Sequence, residues 1–203
     1  KNVIEFTFIT APIALPAKED DDEKNQQNDP KKARTCWWQA NDGNTVYNGL
    51  EDSLSLIAKT VKDKGPFDGL MGFSQGGAMA AIVVAILHDT QNTMKQDLDM
   101  KLPRFVWLCS GFVGRAKKVI PLFFADEEQK KLNTFDKAKC LLCCSPDDQA
   151  VSMERAEALA QHFVDPVIIK YSGYKVNASD KEKQLRSWGH FVPDDAGTIA
   201  KYK

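Results

Sequence analysis

The segment Gly72-Phe73-Ser74-Gln75-Gly76 lies between a short apolar stretch and the ten-residue apolar run Ala78–Leu87, and it constrains this chain more than any other feature. G-x-S-x-G carries meaning where a strand runs into it and a helix leaves it, because the serine then sits on a strained bend with its hydroxyl exposed at the end of a sheet. Phe67–Phe73 reads as the strand and Ala78–Leu87 as a buried helix. Glycines at 72 and 76 are expected where side chains would collide across the bend. The backbone N–H of Gln75, at the start of the helix, is placed to meet a developing oxyanion. A glycine-softened turn with an incidental serine is the plain alternative.

The flanking segments alternate between two periods. Val3–Ile9 is β-branched and aromatic, ends at Ala11-Pro12, and is expected to be a buried strand. From Tyr47 to Lys64, Leu50, Leu54, Ile57, Ala58 and Val61 recur at helical spacing, and Gly65-Pro66 supplies the stop. Arg104–Ser110 and Ala138–Cys144 read as buried strands, Val151–Phe163 as a helix, Val167–Tyr171 as a last strand, and the chain after Asp194 as the start of a terminal helix. Strands alternating with helices in this way imply one α/β domain over residues 1–203, with a mostly parallel sheet covered on both faces. Residues 18–32 hold six acidic and four lysine side chains and nothing apolar, so they are expected to form a mobile charged loop.

A serine hydroxyl needs a base to become a nucleophile. The chain has three histidines. His88 ends the helix that begins at Ser74, about 20 Å away at ~1.5 Å per residue, which excludes it. His162 falls inside the amphipathic segment Val151–Phe163 and reads as a surface or boundary residue. His190, in Trp188-Gly189-His190-Phe191-Val192-Pro193, sits in a loop after the last strand and is the candidate base. The third partner should be a carboxylate following the penultimate strand, where Asp147 and Asp148 both stand. One would orient the imidazole and the other would serve the turn or cap the next helix. Spacing alone leaves the pair open.

Five cysteines at 36, 109, 140, 143 and 144 make a poor disulfide framework, which points to a reducing compartment. Cys140 and Cys143 lie three apart in a strand and so on opposite faces, where they cannot share a metal. Lysine and arginine number 27 against 28 aspartates and glutamates, so no dominant surface for nucleic acid is expected. Ala78–Leu87 is half the roughly 20 residues needed to span a bilayer.

The chain resembles the FSH-type serine hydrolase family. The resemblance rests on Thr10-Ala11-Pro12, Trp37-Trp38, Gly65-Pro66-Phe67-Asp68-Gly69, Gly72-Phe73-Ser74-Gln75-Gly76, Ser110-Gly111-Phe112, Asp148-Gln149-Ala150-Val151 and Gly189-His190-Phe191-Val192-Pro193. It implies an α/β-hydrolase fold, with a three-layer αβα build, and a triad of Ser74, Asp148 and His190. Asp148 is the member that stands three before Val151, as the family pattern has it. The same resemblance makes Gln75 N–H an oxyanion donor. Trp37 and Trp38 become walls of an acyl pocket, or else an aromatic pair that packs the long loop onto the domain. Phe112 becomes a pocket residue at the head of residues 112–137, where Val119, Ile120, Leu122, Phe123 and Phe124 suggest a lid or rim.

Family members begin with a further strand ending in a Leu-His-Gly-type motif, and its loop gives the second oxyanion donor. No such motif occurs in this sequence, so the chain is expected to lack that N-terminal strand and the helix after it. The expected activity is cytoplasmic hydrolysis of a small carboxylic ester or thioester through an acyl-enzyme at Ser74, with no metal or cofactor. A thioesterase acting on acyl-carrier or acyl-coenzyme A substrates is one alternative, and a non-catalytic ligand-binding protein on the same fold is another.

Overall fold

The computed structural model describes residues 4–16, 34–89, 91–126, 131–172, 190 and 192. Its elements in chain order are β1 (Ile13–Ala14), β2 (Thr35–Cys36), β3 (Gln39–Ala40), β4 (Tyr47–Asn48), α1 (Leu50–Lys64), β5 (Gly69–Phe73), α2 (Gln75–His88), α3 (Met94–Leu98), β6 (Phe105–Cys109), α4 (Ile120–Phe123), β7 (Phe124–Asp126), β8 (Lys131–Leu132), β9 (Lys139–Cys144), α5 (Met153–Ala160) and β10 (Val167–Lys170). Four strands form a parallel sheet in the order β10-β9-β6-β5, while β1-β2, β3-β4 and β7-β8 are small antiparallel pairs.

The register sorts the sheet's side chains by face. Leu70, Val106 and Cys140 lie in one row, and Gly72, Leu108 and Leu142 in the next such row, all on one side. This side shares a single core with α1, α2 and α5. Strands added in sequence by right-handed crossovers place their connecting helices on the same face, which accounts for this grouping. Because α2 lies against both sheet and helices, every residue from Gly77 to Leu87 is buried. That explains a sequence apolar on all sides rather than along one stripe.

The alternate rows carry Trp107, Cys109, Leu141, Cys143 and Ile169, which join Tyr171 and Val192 in a second cluster. Cys140 and Cys143 accordingly fall on opposite faces, and none of the five cysteines forms a disulfide among the described residues. Burial pushes the Cys140 thiol up to about 12 and Cys144 up to about 11. No helix among the described residues covers this second face. The charged segment 18–32 and the terminal helix expected after Asp194 lie outside the described residues.

One strand expectation fails. Residues 4–9 of Val3–Ile9 form no strand, and Ile4, Phe6 and Phe8 are 73%, 53% and 88% exposed. β-Branched and aromatic content favours extended backbone, but a strand also needs a ladder partner for its N–H and C=O groups. Here Phe8, Ile9 and Thr10 lie across a groove from Leu56, Lys59 and Thr60 of α1, and no described strand pairs with the outer edge of β5. With Ser74 at the turn from β5 into α2, the parallel sheet and its helices constitute an α/β-hydrolase fold.

Candidate active site

Ser74 occupies the bend between β5 and α2 with φ 53° and ψ −119°. A non-glycine residue held at positive φ costs roughly 1–3 kcal/mol and persists only where its surroundings enforce it. Here the Ser74 N–H donates to Cys109 O at 2.8 Å, and its C=O accepts the Ala78 N–H at 3.1 Å. A Cβ at Gly72 would stand 2.2 Å from Gly76 O, so that glycine is required. Gly76 differs from expectation, since among the described residues a Cβ there would meet only Trp37 Nε1, at 3.4 Å. The second tight approach is at Gly77, where a Cβ would lie 3.0 Å from Gly111 Cα and 3.2 Å from Gly72 O. Gln75 heads α2, where first-turn N–H groups have no acceptor within the helix.

The structure brings Ser74, His190 and Asp148 together. Ser74 Oγ–H donates to His190 Nε2 at 3.0 Å, and His190 Nδ1–H donates to Asp148 Oδ2 at 2.8 Å and lies 3.0 Å from Oδ1. The Nδ1 nitrogen faces a carboxylate that only accepts, so it carries the proton and leaves Nε2 free to take one. Asp148 is 7% exposed, and its Oδ1 also accepts the N–H groups of Ala150 at 2.9 Å and Val151 at 2.8 Å. A buried carboxylate is tolerable when its oxygens are filled in this way. The two jobs expected of two aspartates, orienting the histidine and shaping the turn, therefore fall to Asp148 alone, while Asp147 is exposed.

One further contact reaches the imidazole, and a residue two positions on is packed against the sheet. The Phe73 ring lies 4.7 Å from that of His190, and Val192 packs against the second sheet cluster. His88, at the far end of α2, pairs through Nε2 with Asp136 at 3.0 Å. His162 corrects its expectation: it is wholly buried, with rings of Phe123, Phe124 and Phe135 around it, because α5 stops at Ala160 and the chain then turns inward.

Trp37 and Trp38 part company. Trp38 is 3% exposed, stacked on Tyr47 at 4.5 Å and set edge-on to Phe112 at 6.5 Å, so it packs its loop into the core. Trp37 is half-buried, with its indole beside Gly76. Both are fixed by a residue whose side chain the sequence did not single out. Gln75 Oε1 accepts the Trp37 N–H at 2.6 Å, and Gln75 Nε2 donates to Trp38 O at 3.0 Å. Buried Ser53 completes the anchor by donating to Trp37 O at 2.5 Å. Phe112 is half-buried and carries the Arg155 guanidinium 4.6 Å above its ring centre.

The segment 112–137 divides as well. Phe112 adjoins the Trp38 wall, but Val119, Leu122 and Phe123 are buried in the main core. Leu122 lines a concavity with Ala85, His88 and Asn133 at the end of α2 opposite Ser74. Those apolar residues thus pack the helix rather than cover the site. Among the described residues, no group of three or more His, Cys, Asp or Glu is placed to hold a metal, and no helix is long and apolar enough to cross a membrane.

A family model described as "Serine hydrolase (FSH1)" matches residues 1–202. The mouse protein "Esterase OVCA2" is 29% identical over 182 residues, an alignment covering 85% of this chain and 67% of that one. For the human "Esterase OVCA2" the identity is 29% over 173 residues, with 81% and 63% covered, so the chain spans about two thirds of the length of these relatives. Among solved structures, the Zea mays acyl-protein thioesterase 2 is similar at a TM-score of 0.45 and 19% identity, covering 77% of this chain and 71% of that one.

Proposed function

The chain belongs to the FSH1 serine hydrolase family, and from that premise we propose that it hydrolyses a small carboxylic ester or thioester through an acyl-enzyme on Ser74. The observation that carries the proposal is the unbroken line from Ser74 Oγ through His190 to Asp148, at 3.0 Å and 2.8 Å. In this reading Ser74 Oγ attacks the acyl carbon while His190 Nε2 takes its proton. Asp148 holds the imidazole in the required tautomer and offsets the positive charge it gains. The Gln75 N–H meets the oxyanion of the tetrahedral intermediate. His190 then gives the proton to the departing alcohol or thiol, and water activated by the same nitrogen releases the acid. Five cysteines without a disulfide suit a reducing environment, and we assign the protein to the cytoplasm on that ground.

A fluorophosphonate probe tests the nucleophile. Covalent labelling of the wild-type protein that disappears in Ser74→Ala is the expected result. Labelling that survives Ser74→Ala, or folded wild-type protein that never labels, would overturn the assignment and leave a ligand-binding protein on a hydrolase fold. p-Nitrophenyl esters of increasing chain length, run beside acyl-coenzyme A substrates, then separate ester from thioester preference.

A further inference from the structure

Two arginines stand near the candidate site, and neither is in an ion pair among the described residues. Arg155, in the first turn of α5, lies over Phe112, and its Nη1 donates to Ala150 O at 3.4 Å. Arg115 enters the same neighbourhood from the loop after β6, where its backbone N–H donates to Tyr47 Oη at 2.7 Å. Tyr47 and Phe112 both pack on Trp38, so the residue that fixes the Arg115 backbone and the ring beneath Arg155 belong to one aromatic cluster, from which the exposed Arg115 side chain extends. Burial holds the Arg155 pKa below the usual arginine value, the Arg115 charge adds to the effect, and Tyr47 and the Asp148 carboxylate oppose it. Two like charges near enough to act on each other repel, Asp148 offsets only part of this at Arg155, and an anion bound beside both arginines relieves the rest.

Resting on the serine hydrolase reading above, we infer that Arg155 and Arg115 form an anion subsite, which selects acyl substrates bearing a carboxylate or phosphate group. Arg155 is suited to the task because its planar fork matches both anions and its apolar face already lies on Phe112. Ala150, whose carbonyl holds Arg155, is two residues from Asp148. The subsite therefore joins the loop that orients His190, and a bound anion can be tethered while its acyl carbon faces Ser74. The anion can come from a dicarboxylic half-ester or from a phosphate-bearing leaving group.

Two matched pairs distinguish these sources: p-nitrophenyl hemiglutarate against p-nitrophenyl valerate, and butyryl-coenzyme A against the butyryl thioester of N-acetylcysteamine. In the full-length protein, kcat/KM should favour the anionic member of at least one pair by about tenfold or more, chiefly through KM, as charge-assisted hydrogen bonds predict. That preference should shrink as salt rises from 0.05 to 0.5 M. It should be lost in Arg155→Gln and partly kept in Arg155→Lys. Equal kcat/KM within both pairs, or a preference that Arg155→Gln and Arg115→Gln leave intact, would overturn the subsite while the hydrolase reading stood. If no ester or thioester is turned over, the hydrolase reading fails separately. The subsite is then decided by calorimetric titration of the Ser74→Ala protein with monoethyl glutarate: binding that Arg155→Gln abolishes supports it, and no binding overturns it.

Discussion

Gln75 holds Trp37 by an unusually direct link, since the side chain of the residue that follows the nucleophile accepts the Trp37 backbone N–H at 2.6 Å. Its amide nitrogen returns a bond to the next carbonyl, Trp38 O, at 3.0 Å. The amide is the one group of this length that both accepts and donates here. Gln75→Glu would keep the acceptor for Trp37 but set a carboxylate oxygen against the Trp38 carbonyl. Each lost bond is worth about 0.5–1.5 kcal/mol net. We expect urea unfolding of Gln75→Ala and Gln75→Glu to show a loss of about 1–3 kcal/mol, with Glu no better than Ala, and kcat/KM to fall in both. A Gln75→Glu protein as stable as wild type would remove the clamp from the account.

The neighbouring glycines should differ sharply in tolerance. At Gly77 a Cβ meets backbone on two sides, Gly111 Cα at 3.0 Å and Gly72 O at 3.2 Å, and neither can yield without moving α2 off the sheet. At Gly76 a Cβ meets, among the described residues, only the tip of the Trp37 ring, at 3.4 Å. Overpacking of the first kind costs about 1–3 kcal/mol, while alanine in a helix gains roughly 0.5–1 kcal/mol over glycine. Thermal denaturation should therefore rank Gly76→Ala at or near wild type and Gly77→Ala clearly below it. The reverse order would contradict the close approach of α2 to Gly111.

The features legible in the sequence are those encoded locally. Val106, Leu108, Cys140 and Leu142 sit in unbroken apolar runs, and Ala78–Leu87 follows its serine directly, so β6, β9 and α2 can be read from composition and order. Other features depend on what lies across the fold. Val3–Ile9 has the residues of a strand, but pairing is decided by a neighbour the segment itself does not encode. His162 continues the helical spacing of Ala156 and Leu159, yet α5 ends at Ala160, and the turn carries the imidazole into the aromatic core. The Gln75 clamp bridges positions 37 and 38 apart in the chain and leaves no periodic trace.

Asp148 and Asp147 offer a controlled comparison within one turn. Asp148 Oδ2 receives His190 Nδ1–H at 2.8 Å, and an asparagine there can present its amide nitrogen and favour the wrong imidazole tautomer. Kinetics with the best ester substrate should show Asp148→Asn reducing kcat by on the order of 10⁴-fold. Asp147→Asn, one residue away and exposed, should stay within a fewfold of wild type. Comparable losses in both variants would mean that the turn as a whole, rather than the Asp148 carboxylate, supports His190.

His162 should make the fold sensitive to mild acid. It is wholly buried, its Nδ1–H donates to Asn133 O at 3.0 Å, and its Nε2 has no hydrogen-bond partner among the described residues. Burial lowers its pKa below 6.5, against a smaller opposing effect from the Asn133 carbonyl. Below about pH 6.5 the unfolded chain takes up a proton that the folded chain refuses, so folding stability is highest above that pH and declines as pH falls toward the lowered folded value. The decline approaches about 1.4 kcal/mol per pH unit within that window and ends once both states are protonated. His162→Asn keeps a donor near the Nδ1 position but cannot titrate, so its stability measured by urea unfolding should fall less steeply between pH 6.5 and 5. Identical slopes for the two proteins would show that His162 is protonated equally in the folded and unfolded states, which its enclosure by Phe123, Phe124 and Phe135 argues against.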